Sequence, residues 1–209
     1  GIHQLLAVPY EPFARNPARN DRILSACATM PNLFHAPKTP DERLIVIARA
    51  LTAPDTRAWE IWQGGTLVGI FLLTALVPGV DAQMHAAFFD GKLFGRTILL
   101  RHIIARVFAE YGLQRLTAEV PEHLTALIDF VRRKLGFRLE GEQLAADTPV
   151  ARARWVAHFG SRREPAHWDG AIWRDLVRLR LLASELADSE ARWGSSSVRV
   201  GHKPLSPVT

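Results

Sequence analysis

The stretch "FFDGKLFGRTILLRHIIARVFAEYG", residues 88–112, constrains this chain most. An apolar run ends, a short glycine-containing loop follows, and a long amphipathic segment then continues without proline or glycine to Gly112. Ile98, Leu99, Ile103, Val107 and Tyr111 recur in it at helical spacing. Before it, "TRAWEIWQGGTLVGIFLLTALV" holds two strand-like runs joined through Gln63, Gly64 and Gly65, a hairpin signal. "VDAQMHAAFF" supplies a third run after Pro78 and Gly79. Three antiparallel strands therefore lead into a strand-to-helix junction. Such a junction is a plain connection in many proteins, and in others it presents backbone N–H groups to a phosphate.

Downstream, "LQRLTAEV" reads as a strand, and "PEHLTALIDFVRRKLG" as a helix with Pro121 in its first turn and Gly136 as its stop. "FRLEGEQ" begins another strand. Upstream, residues 3–9 suit a short first strand, and "DRILSACATM" and "PDERLIVIARALTA" suit two helices. Asp41 and Glu42 place negative charge at the positive end of the second helix. This order implies an α/β (α+β) chain with a mixed sheet and helices on both faces. Residues 144–169 break the rhythm and read as an insertion with one short helix. "IWRDLVRLRLLASEL" resumes as a strand, with a helix as its competitor. Residues 1–193 then make a single domain and 194–209 an extended or flexible polar tail.

At 209 residues and 48% hydrophobic, the chain supports one sizeable core rather than two full domains. Its apolar runs fall short of the roughly 20 residues that span a bilayer, and the N-terminus reads as mature, non-secreted, cytoplasmic protein. A single cysteine, Cys27, excludes an intrachain disulfide and a cysteine-rich zinc site. With Ile23, Leu24 and Met30 it shares a helical face, so it reads as a buried structural thiol. No metal is expected: the histidines show no H-E-x-x-H spacing, and no aspartate-rich calcium loop occurs. "GGTLVG" lacks the lysine of a nucleotide phosphate loop, and no G-x-S-x-G elbow is present.

The net charge of +5 reflects a local excess in the C-terminal part of the chain, between residues 131 and 180, at Arg132, Arg133, Lys134, Arg138, Arg152, Arg154, Arg162, Arg163, Arg174, Arg178 and Arg180. Trp155, Trp168, Trp173 and Trp193 are interleaved there. This mixture suits a protein partner or homo-oligomer contact, single-stranded nucleic acid, or packing of the insertion on the sheet.

In element order and in three short strings, the chain resembles the GNAT superfamily of acyl-CoA-dependent N-acyltransferases over about residues 20–143. "KLFGRT" resembles a relaxed Q/R-x-x-G-x-G/A pyrophosphate loop, with Lys92 and Thr97 departing from the pattern. "LQRLTAEVPE" resembles the strand that splays to open the cofactor cleft, and "FVRRKLGFRLEGE" the helix-glycine-phenylalanine-strand junction. The resemblance implies acetyl-CoA as cofactor, its pyrophosphate on Gly91, Lys92, Leu93, Phe94, Gly95, Arg96 and Thr97. Gly95 lets the chain turn closely round a phosphate, and Lys92 and Arg96 add positive charge. Gly95 as a packing residue is the alternative.

Acetyl transfer to an amine needs a group that removes a proton. Glu119, at the end of the strand flanking the implied cleft, is the first choice and His85 the second; Glu122, His123 and Asp81 lie nearby. Solvated or hydrogen-bonded structural roles are the alternative for each. The family's usual tyrosine acid is missing: Arg132 holds its position, and the only tyrosines are Tyr10 and Tyr111. The expected activity is acetyl transfer to a primary amine of a small molecule or protein. The rival is a catalytically degenerate GNAT-like module serving assembly, for example in a virion-type complex.

Overall fold

Strands β2 (Arg57–Gln63), β3 (Thr66–Val77) and β4 (Asp81–Phe88) form the expected antiparallel meander in the computed structural model of the chain. The structure describes residues 5–10, 17–30, 39–140, 167–168, 173–174 and 176–193. Gly64 and Gly65, at φ 55° and 80°, make the two-residue turn, a conformation that a Cβ disfavours. β1 (Leu5–Pro9) pairs antiparallel outside β2. From β4 the chain crosses over through α3 (Thr97–Tyr111) to β5 (Arg115–Pro121), which pairs in parallel with β4. β9 (Leu176–Leu182) lies antiparallel beside β5, and β6 (Arg138–Leu139) lies outside β9. The mixed sheet therefore runs β1-β2-β3-β4-β5-β9-β6. β7 (His167–Trp168) and β8 (Trp173–Arg174) pair as a separate ribbon.

Alternating side chains divide the sheet between two cores. Toward α1 (Pro17–Ala28) and α2 (Pro40–Thr52), Leu67, Ile70, Leu72 and Ala87 meet Ile23, Cys27, Ile47 and Leu51. Toward α3 and α4 (Thr125–Arg133), Phe71, Leu73 and Leu116 meet Leu100, Ile104, Phe130 and Val131. Helices thus cover both faces, and a strand buried on both sides explains the unbroken apolar run of β3. α2 opens with a capping box between Thr39 and Glu42, and Asp41 and Glu42 occupy its first turn. Burial pushes the Cys27 thiol up to about 12, as befits a packing residue rather than a nucleophile. No described helix is long and apolar enough to cross a membrane.

Three local expectations are corrected. Pro121 is the last residue of β5, not part of a helix; a turn closed by the Leu124 amide on the Pro121 carbonyl (3.0 Å) precedes α4. The strand expected from Phe137 is only two residues long and sits at the sheet edge. After β9 the chain turns into α5 (Ala183–Trp193), where Glu185 Oε2 accepts from the Leu182 amide at 3.0 Å. Trp193 packs against Arg101 of α3, 5.1 Å from guanidinium carbon to ring centre, so this tryptophan has a packing role. Most of the insertion, with Trp155 and its arginines, and the tail 194–209 lie outside the described residues.

Gly136 ends the α4 region at φ 80°, and a Cβ there would collide with the Ser189 side chain of α5. Gly136→Ala is therefore expected to cost about 3 kcal/mol, combining left-handed strain with overpacking. A thermal melt unchanged from the parent would show that α5 is not seated against this glycine.

Candidate active site

β4 and β5 pair only at Asp81↔Arg115, Ala82↔Leu116 and Gln83↔Thr117. Beyond those residues the strands part. No described strand fills the gap, so the facing edges of Met84–Phe88 and Ala118–Pro121 carry backbone groups without ladder partners. A cleft of about 610 Å³, solvent at its mouth included, opens between them.

The cleft passes through the plane of the sheet. Met84, Ala118 and Val120 side chains point toward α3 and α4, and there Leu93, Leu100, Leu127, Phe130, Val131 and Leu135 complete an apolar wall. His85 and Glu119 also line it, and strand alternation turns both toward the α1–α2 face. The two candidate catalytic side chains are thus brought to one opening, on the opposite face from the apolar wall. Among the described lining residues they are the only ionisable ones.

The loop at the start of α3 is held from within. Asp90 Oδ1 accepts from the Lys92 amide (3.1 Å) and from Arg96 Nη1 (2.6 Å), while Asp90 Oδ2 accepts from Arg96 Nη2 (2.7 Å). Arg96 also donates to the Lys92 carbonyl (3.1 Å) and Gln63 Oε1 (3.0 Å), and lies 4.7 Å over the Phe88 ring. At 4% exposure it is a buried strut, which corrects the expectation that its guanidinium adds charge for a phosphate. Lys92, exposed, remains as the loop's outward cation.

Its amides divide as well. Those of Gly91, Lys92 and Arg96 bond to Phe88, Asp90 and Leu93 within the loop. Phe94 and Gly95 open the short 3₁₀ turn Phe94–Arg96, where an N–H has no acceptor inside the turn. A Cβ built on Gly95 would meet nothing within 4 Å, and its φ is not positive. Neither packing nor backbone strain accounts for glycine there. Thr97 begins α3 with helical backbone.

The Arg96 guanidinium, helped by the Lys92 amide and opposed by partial burial, holds the Asp90 carboxyl far below the usual carboxylate range. A folded-state value lowered in this way adds stability that is present above about pH 4 and is lost as pH falls toward the folded value. Asp90→Asn is expected to cost about 2 kcal/mol, less than a fully buried pair because Asp90 is 36% exposed. The gap in melting temperature between variant and parent should be constant above about pH 5 and close below about pH 4. A gap independent of pH would place the effect outside this ion pair.

On the α1–α2 side of the cleft, His85 Nε2 lies 3.0 Å from Thr74 Oγ1. Glu119 Oε1 accepts from Arg178 Nε (3.1 Å) and Nη2 (2.7 Å), a partner that no sequence spacing announces. Neither tyrosine lines the cleft. Tyr10 donates to Asn20 Oδ1 (2.8 Å), and Tyr111 packs edge-on against Trp59. Among the described residues, no cluster of His, Cys, Asp or Glu is placed to hold a metal.

No family model and no curated protein matches the sequence. Solved structures do match the fold. One is the spermidine N-acetyltransferase of Vibrio cholerae in complex with CoA and spermine, at 17% identity and a TM-score of 0.61 over 88% of this chain and 98% of that one. Another is the Campylobacter jejuni N-acetyltransferase PseH in complex with acetyl coenzyme A, at 9% identity and 0.52 over 85% and 99%. A dodecameric structure of the Vibrio cholerae spermidine enzyme matches at 17% and 0.54 over 87% and 95%. At such identities the likeness is one of architecture. The fold of this chain is that of the GNAT N-acetyltransferases.

Proposed function

We propose that the chain is an acetyl-CoA-dependent N-acetyltransferase acting on a primary amine. One observation carries this reading: the parted edges of β4 and β5 open a cleft through the sheet, near a helix start with open space at Gly95, and His85 and Glu119 line it. Bound acetyl-CoA supplies an activated acetyl thioester. The Phe94 and Gly95 amides and Lys92 hold its pyrophosphate. The parted strand edges pair with amide groups of the pantetheine arm, as an added strand would, and the apolar wall keeps water from the thioester.

The amine approaches from the α1–α2 face. Glu119 draws in the ammonium, and His85 takes its proton, directly or through one water. The neutral nitrogen would then bond to the acetyl carbon as the C–S bond breaks. With no tyrosine along the cleft, His85 would give its proton to the departing sulfur, and the second nitrogen proton would leave to solvent as the amide forms. The dodecameric fold neighbour supports oligomerisation of this chain as well, and dependence on acetyl-CoA favours a cytoplasmic setting.

The rival reading, an inert assembly module, would keep the cleft and the loop only as an inherited shape and would not bind the cofactor. Calorimetry with acetyl-CoA separates the two, with an expected dissociation constant of roughly 1–100 µM. Absence of heat at several hundred micromolar cofactor, with folding confirmed by circular dichroism, would sink the enzyme reading.

A further inference from the structure

Resting on that N-acetyltransferase reading, we infer that the acceptor is a compact amine carrying its own anion, a carboxylate or phosphate a few bonds from the nitrogen, and not a polycation. On the amine-facing side, β5, β9 and β6 present a polar strip opposite the core residues Leu116, Ala118, Leu179 and Leu181. Each carboxylate of the strip is engaged by arginine. Glu119 is held by Arg178; Glu140 is held by Arg115 and lies 3.7 Å from Arg178 Nε. Glu185 takes Arg180 at 2.9 Å and Arg138 at 3.6 Å. Among the described residues, four guanidinium groups thus face these three carboxylates, and the further carboxylate of Asp81 lies beside Arg115 in register, away from the cleft end of the strip.

Exposure sharpens the point at the cleft. Arg178 is 53% exposed and Glu119 only 14%, so the guanidinium is the more accessible member of the pair. Arg178 commits Nε and Nη2 to Glu119, and its Nη1 carries two further donors. An ammonium seated on Glu119 therefore sets its neighbouring substituent beside Arg178. A carboxylate or phosphate there gains a charge-assisted guanidinium partner, whereas a second ammonium meets like charge.

The test is a thiol-release assay at saturating acetyl-CoA with four acceptors: 4-aminobutanoate, O-phosphoethanolamine, butylamine and 1,4-diaminobutane. The better anionic amine should exceed butylamine in kcat/KM by at least about tenfold, and the diamine by more. The two anionic arms identify carboxylate or phosphate. Arg178→Gln should raise KM about tenfold more for the anionic amine than for butylamine, and Arg178→Lys should restore part of that difference. Preference for the diamine overturns the inference, as does an Arg178→Gln loss that is equal for all acceptors, because Arg178 then only positions Glu119. Acetyl-CoA heat with no acceptor turned over also counts against it. Absence of acetyl-CoA heat, by contrast, marks failure of the N-acetyltransferase reading itself and takes the inference with it.

Discussion

Gly95→Asp is expected to weaken acetyl-CoA binding by at least about a hundredfold, because a carboxylate set against a phosphate costs several kcal/mol. The same change should leave the fold intact. Gly95 has no positive φ, a Cβ there meets nothing within 4 Å, and a negative charge near the start of α3 suits the helix dipole. Gly95→Ala gives the complementary result. It should stabilise the protein by about 0.5 kcal/mol through a less flexible unfolded chain, yet cost about tenfold in affinity by filling the space a phosphate uses. Stability and binding moving in opposite directions is the signature of a glycine kept for its ligand. Calorimetry and thermal melts on both variants read it directly. Affinity unchanged in Gly95→Asp would place the pyrophosphate elsewhere.

The parts of the fold legible in the sequence are those set by neighbours along the chain. Gly64 and Gly65 announce the hairpin, and Gly112, left-handed at φ 62°, ends α3 where the helical period stops. Position along the chain also marked the loop at Gly95, and it brought His85 and Glu119 forward as candidates. What stayed hidden depends on pairing over distance. β9 lies between β5 and β6 because its apolar residues Leu179 and Leu181 fill the same core as Leu116 and Ala118, which no local period reveals. Arg96 reads as a phosphate cation until Gln63, 33 residues away, and Asp90 are seen to hold it. Arg178 is 59 residues from Glu119, so their ion pair leaves no trace in spacing. Two local signals were nonetheless available. Glu185 could reach back to the Leu182 amide and start α5, and a proline ending one strand is as well placed as one starting a helix.

His85→Gln is expected to lower kcat by roughly 10²–10³ with KM nearly unchanged, whereas Glu119→Gln should raise KM by roughly tenfold and affect kcat less. The difference follows from their partners. Glu119 Oε1 already accepts two bonds from Arg178, so a proton arriving there competes with a guanidinium, and the carboxylate is better suited to holding an ammonium than to taking its proton. His85 is steadied by the Thr74 hydroxyl at 3.0 Å, and an imidazole can both accept a proton and give one back. That reverses the order suggested by strand position alone, which put Glu119 first. Steady-state kinetics on the two single variants and the double variant decide between the assignments. If His85 acts on the proton and Glu119 on capture of the amine, their effects on kcat/KM should multiply. A double variant no worse than the more damaged single variant would mean that the two side chains serve one step, with Glu119 relaying the proton through His85.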